Sequence, residues 1–130
     1  MLPNALNNLT IVLAEDHADA RALIGAFLRQ KGANVIAASD GLEALEAVKT
    51  YHPDLVLSDL VMPRRDGFQL LNDIRSLDST HGGDVPVIAM TALVRYSDRQ
   101  RSENARFETH LSKPFSPKQL LDAILSVLKR

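Results

Sequence analysis

Glu15, Asp16, Asp59, Thr91 and Lys113 are the residues of this sequence whose types and placement suit chemistry. Each closes or follows a short stretch that reads as a strand, apolar in every case but the last. LTIVLA precedes Glu15-Asp16, DLVLS precedes Asp59, Val85 to Met90 precedes Thr91-Ala92, and Thr109 to Ser112 precedes Lys113. Carboxylates gathered at one point repel one another unless a cation joins them. Oxygen-only ligation, with no Cys in the chain and no clustered His, suits a hard ion that keeps several waters, as Mg²⁺ does. An Asp facing such an ion can accept a phosphoryl group as an aspartyl phosphate, a transfer that needs positive charge on the equatorial oxygens more than acid-base help. Lys113 and the ion would supply that charge, and Thr91 a hydrogen bond.

The elements that must position these groups alternate. Leu9–Ala14 reads as a strand, followed by a helix with Ala20, Leu23, Ile24, Phe27 and Leu28 inward and Gly32 just past its end. Asn34–Ala38 is a second strand, and Asp40 with Glu43 predicts a capping box for a helix burying Leu42, Leu45 and Val48. The third strand, Asp54–Ser58, leads to Asp59 and to a helix with Leu70, Leu71, Ile74 and Leu77 on one face, opened by turn chemistry at Asp66-Gly67. Val85–Met90 is the fourth strand. Ser97 with Gln100 marks a short polar helix ending near Arg106, Thr109–Ser112 the fifth strand, and Ser116, Pro117 and Gln119 the start of a helix with Leu120, Leu121, Ile124, Leu125 and Leu128 inward.

Apolar strands alternating with helices imply an α/β fold, a doubly wound five-stranded parallel sheet with helices on both faces. Ligands of such sheets bind beyond the carboxyl ends of the strands, where strand order reverses. All five residues fall on that edge, and if the order is 2-1-3-4-5 the three carboxylates converge.

The bulk properties set bounds. At 130 residues the chain fits one domain, expected over 9–130, with 1–8 as a polar leader or linker remnant and no attached DNA-binding module. Fifteen Lys+Arg against sixteen Asp+Glu give a formal charge of −1, which points to neither nucleic acid nor an anionic membrane. No run approaches the roughly 18 apolar residues of a span, and the lack of Cys fits a reducing, cytoplasmic location.

The ordered set of ED at 15–16, DLVMPRRDG at 59–67, TA at 91–92 and KPF at 113–115 resembles the receiver domain of two-component response regulators, over about residues 9 to 129. The resemblance implies the flavodoxin-like order 2-1-3-4-5, with Asp59 as phosphoacceptor for a histidine kinase or histidine phosphotransfer protein. It further implies Asp16 as a direct Mg²⁺ ligand, Glu15 as a ligand through water and Val61 as one through its backbone carbonyl. Thr91 and Lys113 would hold phosphoryl oxygens, Ala92 would leave them room, and Lys113-Pro114 would be cis. Thr91 and His110 would switch an effector surface, with the domain monomeric or dimerising on phosphorylation. Such a domain is a switch that catalyses only its own phosphorylation and dephosphorylation.

Taken singly these residues have ordinary uses: Glu15-Asp16 at a helix N-terminus, Asp59 in a turn, Thr91 bonded to backbone, Lys113 in solvent. Their joint placement on one sheet edge favours the site. His17, His52 and His81 show no ligand spacing and are expected on the surface or as caps, and Arg95, Arg99, Arg101 and Arg106 as a solvated face.

The chain also departs from the family pattern. His110 stands where an aromatic is usual, within FETHLSKPF as in receivers of hybrid kinases, and its titration would make switching pH-dependent. Ala105-Arg106 replaces the usual Ala-Gly, and apolar Val61 cannot orient a hydrolytic water. A haloacid-dehalogenase-like phosphatase would need an Asp at Val61, and a flavodoxin-like cofactor binder a Ser/Thr/Gly-rich loop at Glu15-Asp16. A receiver that works without phosphorylation would lack part of the acidic and Lys set, which is complete here.

Overall fold

The structure, a computed structural model, describes residues 4–92 and 107–129. The polar helix expected between Ser97 and Arg106, with its arginines and Ala105, lies outside them. The elements run β1 (Thr10–Ala14), α1 (Ala18–Gln30), β2 (Asn34–Ala38), α2 (Gly41–Tyr51), β3 (Leu55–Asp59), α3 (Gly67–Arg75), a 3₁₀ turn at Ser79–His81, β4 (Val87–Thr91), β5 (Thr109–Ser112) and α4 (Pro117–Leu128). The five strands are parallel in the order β2-β1-β3-β4-β5, as expected. Strand order reverses between β1 and β3, whose register pairs Ala14 with Ser58. Glu15, just past β1, and Asp59, the last residue of β3, therefore lie side by side.

The period of two along each strand divides the core between the faces. Ile11, Leu13, Leu55, Leu57, Ile88 and Met90 pack with Ile24, Leu28, Leu120 and Ile124 under α1 and α4. Val12, Ala14, Val56 and Val87 pack with Ala44, Val48, Leu70, Leu71 and Ile74 under α2 and α3. Leu6 and Leu9 are buried in the first of these layers, so packing reaches back into the stretch expected to be a leader.

Helix ends follow their sequence signals. Gly32, at φ 101°, sends its N–H to Arg29 O while Ala33 N–H reaches Leu28 O, the paired bonds of a Schellman cap. Asp66 with Gln69 and Ser116 with Gln119 form reciprocal capping boxes. At α2 only half a box forms: Asp40 accepts from Glu43 N–H at 2.9 Å, but the Glu43 carboxylate bonds Ser39 Oγ at 2.6 Å instead of the Asp40 backbone.

Two side chains expected inward point out. Leu23 is 74% exposed because the buried stripe of α1 runs through Ile24, Gly25 and Leu28. Leu42 is 40% exposed because α2 presents Ala44, Ala47 and Val48 to the sheet, and the two alanines bring the helix close. β4 begins at Val87 rather than Val85, since Pro86 has no N–H for a ladder. Asp59 is the last residue of β3 rather than its successor.

Candidate functional site

At the carboxyl edge, segments far apart in sequence meet. Lys113 Nζ lies 2.6 Å from Glu15 Oε1 and 2.7 Å from Asp59 Oδ2, bridging the ends of β1, β3 and β5. Glu15 is 0% exposed, Asp59 6% and Thr91 8%, so these polar groups are held inside the edge rather than splayed into solvent.

The backbone locks each in place. Glu15 N–H bonds Ala38 O, Lys113 N–H bonds Thr91 O, and Ser58 Oγ donates to Asp59 O. Arg21, one turn into α1, donates through Nη1 to the carbonyls of Glu15 and Asp16 at 2.9 and 3.3 Å, a tether not foreseen from the sequence. Gly67 lets α3 start against the acceptor strand: its N–H bonds Leu60 O at 3.0 Å, and a Cβ there would collide with the Asp59 carbonyl and with Leu60 Cα. Lys113-Pro114 is cis.

The electrostatics are unbalanced. Burial alone would lower the Lys113 pKa, but the hydrogen bonds and negative charges of Asp59 and Glu15 outweigh it and hold the ammonium above its ordinary value. One ammonium against the formal charges of Glu15, Asp16 and Asp59 still leaves two negative charges, which a divalent cation would neutralise. Donor atoms of Glu15, Asp16, His17 and Asp59 all lie within 4.8 Å of one another. Asp16 Oδ1 is buried without a hydrogen-bond partner among the described residues, although His17 Nδ1 approaches it to 3.4 Å. A buried carboxylate oxygen left unbonded beside two other carboxylates is what a cation ligand looks like before the cation is added. The donor set fits a divalent ion.

The remaining expected residues sit around this centre. Val61 is 66% exposed, and its N–H contacts Asp59 Oδ1 at 3.3 Å. Ala92 is exposed and lines a groove with Glu15, Lys113 and Pro114. His110 lies one strand over in β5, half-buried, its ring edge-on to Phe107 at 5.8 Å, with Phe107 edge-on to Phe68 at 5.9 Å. Its Nε2 is buried without a hydrogen-bond partner among the described residues.

Of the histidines assigned to surface or capping roles, His52 ends α2 in a left-handed conformation and His81 pairs with Asp78 on the surface. His17 differs. It precedes α1 without a side-chain cap bond and sits beside the acidic pair, where its adjacency to Glu15-Asp16 was the signal available.

A second group secures the loop after Asp59. Arg64, at φ 64°, pairs through Nε with Asp40 Oδ2 at 2.7 Å, and a Cβ on Gly41 would strike the Arg65 backbone, so the loop is seated on the start of α2. Burial opposes the charge of Asp40, yet the Glu43 N–H and the Arg64 guanidinium outweigh it and hold the carboxyl below its ordinary pKa.

Comparison with known proteins agrees with this geometry. The family model for the response regulator receiver domain matches residues 11–125. The probable transcriptional regulator ycf27 of Porphyridium aerugineum is 40% identical over 120 residues, which cover 92% of this chain and 48% of that protein. The chain thus spans about half the length of that relative. An uncharacterised 14.6 kDa protein of Leptolyngbya boryana is 36% identical over 116 residues, 89% of this chain and 87% of its own length. Among solved structures, the receiver domain of a Pseudomonas aeruginosa sensor histidine kinase, with a magnesium ion coordinated in its active-site cleft, superposes with a TM-score of 0.85 at 30% identity, covering 94% of this chain and 98% of that one. On its fold, its acidic edge and these matches, the chain belongs to the response regulator receiver domain family of two-component signalling.

Proposed function

We propose that the chain is a phosphoacceptor switch that takes a phosphoryl group onto Asp59 from the phosphohistidine of a histidine kinase or phosphotransfer protein. One observation carries this: Lys113 Nζ reaches both Asp59 and Glu15 at the sheet edge, beside Asp16 Oδ1, which is buried and lacks a hydrogen-bond partner among the described residues. An Asp59 carboxylate oxygen attacks phosphorus, the new O–P bond replacing the N–P bond, whose electron pair returns to the donor imidazole. Lys113 screens the carboxylate that must approach an anionic donor, then shares its ammonium with the transferred oxygens. Thr91 donates to one of those oxygens, and Ala92 leaves the space they occupy. Asp16 and Asp59 would hold Mg²⁺ directly, Glu15 through water and Val61 through its carbonyl; the ion supplies positive charge to the phosphoryl oxygens.

The domain carries out no chemistry on other substrates. Water attack on the aspartyl phosphate returns it to the start, and no polar side chain at Val61 orients that water. Occupation of the site draws on Thr91 and so biases the His110 face toward an effector, as a monomer or a phosphorylation-dependent dimer. The setting is cytoplasmic; among the described residues no helix is long and apolar enough to cross a membrane.

The test is incubation with Mg²⁺ and a small acyl phosphate donor. A mass gain of one phosphoryl group, stable in acid, labile in base and lost both with chelator and in Asp59→Asn, is expected. An unchanged gain in Asp59→Asn contradicts the assignment.

A further inference from the structure

The donor atoms around the carboxylates include one nitrogen. His17 Nδ1 lies 3.4 Å from Glu15 Oε2 and 3.4 Å from Asp16 Oδ1, inside the set whose members all fall within 4.8 Å. Two donors on opposite sides of one ion, each at about 2.1 Å, are about 4.2 Å apart, so small rotamer changes would bring His17, Asp16 and Asp59 onto a single cation that Glu15 reaches through water. The His17 backbone is fixed, its N–H held by Glu15 Oε2 at 3.2 Å. The ring is exposed, at 75% of its side chain, makes no cap bond to α1, and among the described residues has as its one hydrogen bond a long 3.4 Å contact from Nδ1 to Glu15 Oε2. The Asp16 oxygen it faces is the buried one without a hydrogen-bond partner among the described residues.

We infer that His17 is a ligand of the divalent-ion site and sets its preference, adding an imidazole nitrogen that favours Mn²⁺ and Co²⁺ over Mg²⁺; this rests on reading the carboxylate cluster as an ion site. Mg²⁺ prefers oxygen donors and retains its waters, so it gains little from an imidazole. First-row transition ions exchange a water for imidazole nitrogen with advantage, increasingly along the series from Mn²⁺ to Co²⁺. A His17 that acts only as a charged or capping neighbour predicts something else: its removal would shift the affinity of every divalent ion by one common factor.

Calorimetric titration of the whole chain with Mg²⁺, Mn²⁺ and Co²⁺ separates these cases for wild type, His17→Gln and His17→Ala, at about pH 7.5, above the ordinary imidazole titration range. Partners that merely orient a metal ligand are worth about 10–100-fold in affinity, so loss of the ligand itself should weaken Co²⁺ at least about tenfold while Mg²⁺ changes little. Pulsed electron paramagnetic resonance of the Mn²⁺-loaded wild type should show nitrogen hyperfine coupling that disappears in both variants. An unchanged ratio of Co²⁺ to Mg²⁺ affinity, or no nitrogen coupling, overturns the role of His17 and leaves the ion site standing. A folded wild type that binds none of the three ions overturns both.

Discussion

Asp16→Asn should stabilise the metal-free protein and remove its response to Mg²⁺. The substitution keeps the side-chain shape and costs no hydrogen bond at Oδ1, which has none among the described residues. Asp16 sits within 4.8 Å of the donor atoms of Glu15 and Asp59, and Lys113 offsets one of those two charges, so Asp16 faces about one uncompensated negative charge. At that separation a like-charge pair costs about 0.9 kcal/mol in water and about 3.5 kcal/mol at an effective dielectric constant near 20. The Asp16 side chain is 28% exposed, toward the screened end, which puts the gain at about 1 kcal/mol. For a domain of this size that is a rise of roughly 3–5 °C in melting temperature. Wild type, by contrast, should gain about 2.7 kcal/mol when Mg²⁺ is at about 100 times its dissociation constant, a gain the variant largely lacks. Thermal melts in chelator and in Mg²⁺ should therefore rank the two proteins in opposite orders. A variant that melts below wild type in chelator, or still climbs with Mg²⁺, refutes the clustered-charge account.

Other expectations follow from single contacts. Gly67→Ala places a methyl group against the Asp59 carbonyl and Leu60 Cα, backbone that cannot yield without moving α3, and should cost about 2–3 kcal/mol in urea unfolding; a loss below about 0.5 kcal/mol would show that α3 shifts freely. The folded pKa of Asp40 lies below its unfolded value of about 3.9, so the stability from its charge is present above that pH and lost as pH falls through the folded value. Asn at position 40 still caps α2, so the gap in urea midpoint between wild type and Asp40→Asn should narrow from about pH 5 down to 2.5; a constant gap contradicts the assigned charge. Val61→Asn, exposed beside the acceptor, should shorten the aspartyl-phosphate lifetime by about five- to tenfold, the worth of one hydrogen bond of about 1 kcal/mol to the attacking water; an unchanged lifetime on a phosphatase-free time course counts against that role.

Much of the fold was legible because its signals are local. The alternation of apolar strands with capped helices, the Gly32 cap and the Ser116-Pro117-Gln119 start all depend on neighbours within a few residues. Leu23 and Leu42 were misplaced because a helix with apolar residues on more than one face does not announce which face the sheet covers. The small residues Ala44 and Ala47 decide it for α2, and they look unremarkable in a hydrophobicity pattern.

At the site, the sheet-edge rule brought Glu15, Asp16, Asp59, Thr91 and Lys113 to one end before any contact was known. It could not supply side-chain geometry. That Lys113 bridges Glu15 as well as Asp59 and that Arg64 latches onto Asp40 across 24 positions are tertiary pairings, and that Arg21 grips two carbonyls five and six residues back depends on a side-chain direction that residue type does not reveal. His17 is exposed at the start of α1, as its lack of ligand spacing to the other histidines suggests, but its contacts with Glu15 and Asp16, two and one residues before it, concern carboxylates, which a spacing rule among histidines does not address.

The most direct measurement of the central claim locates the phosphoryl group. Borohydride reduction of the phosphorylated chain converts an acyl phosphate to an alcohol, and peptide mass spectrometry then reads its position. The account predicts homoserine at position 59 alone, formed only when Mg²⁺ was present during phosphorylation. Reduction at another carboxylate, or at position 59 to the same extent in chelator, would contradict it.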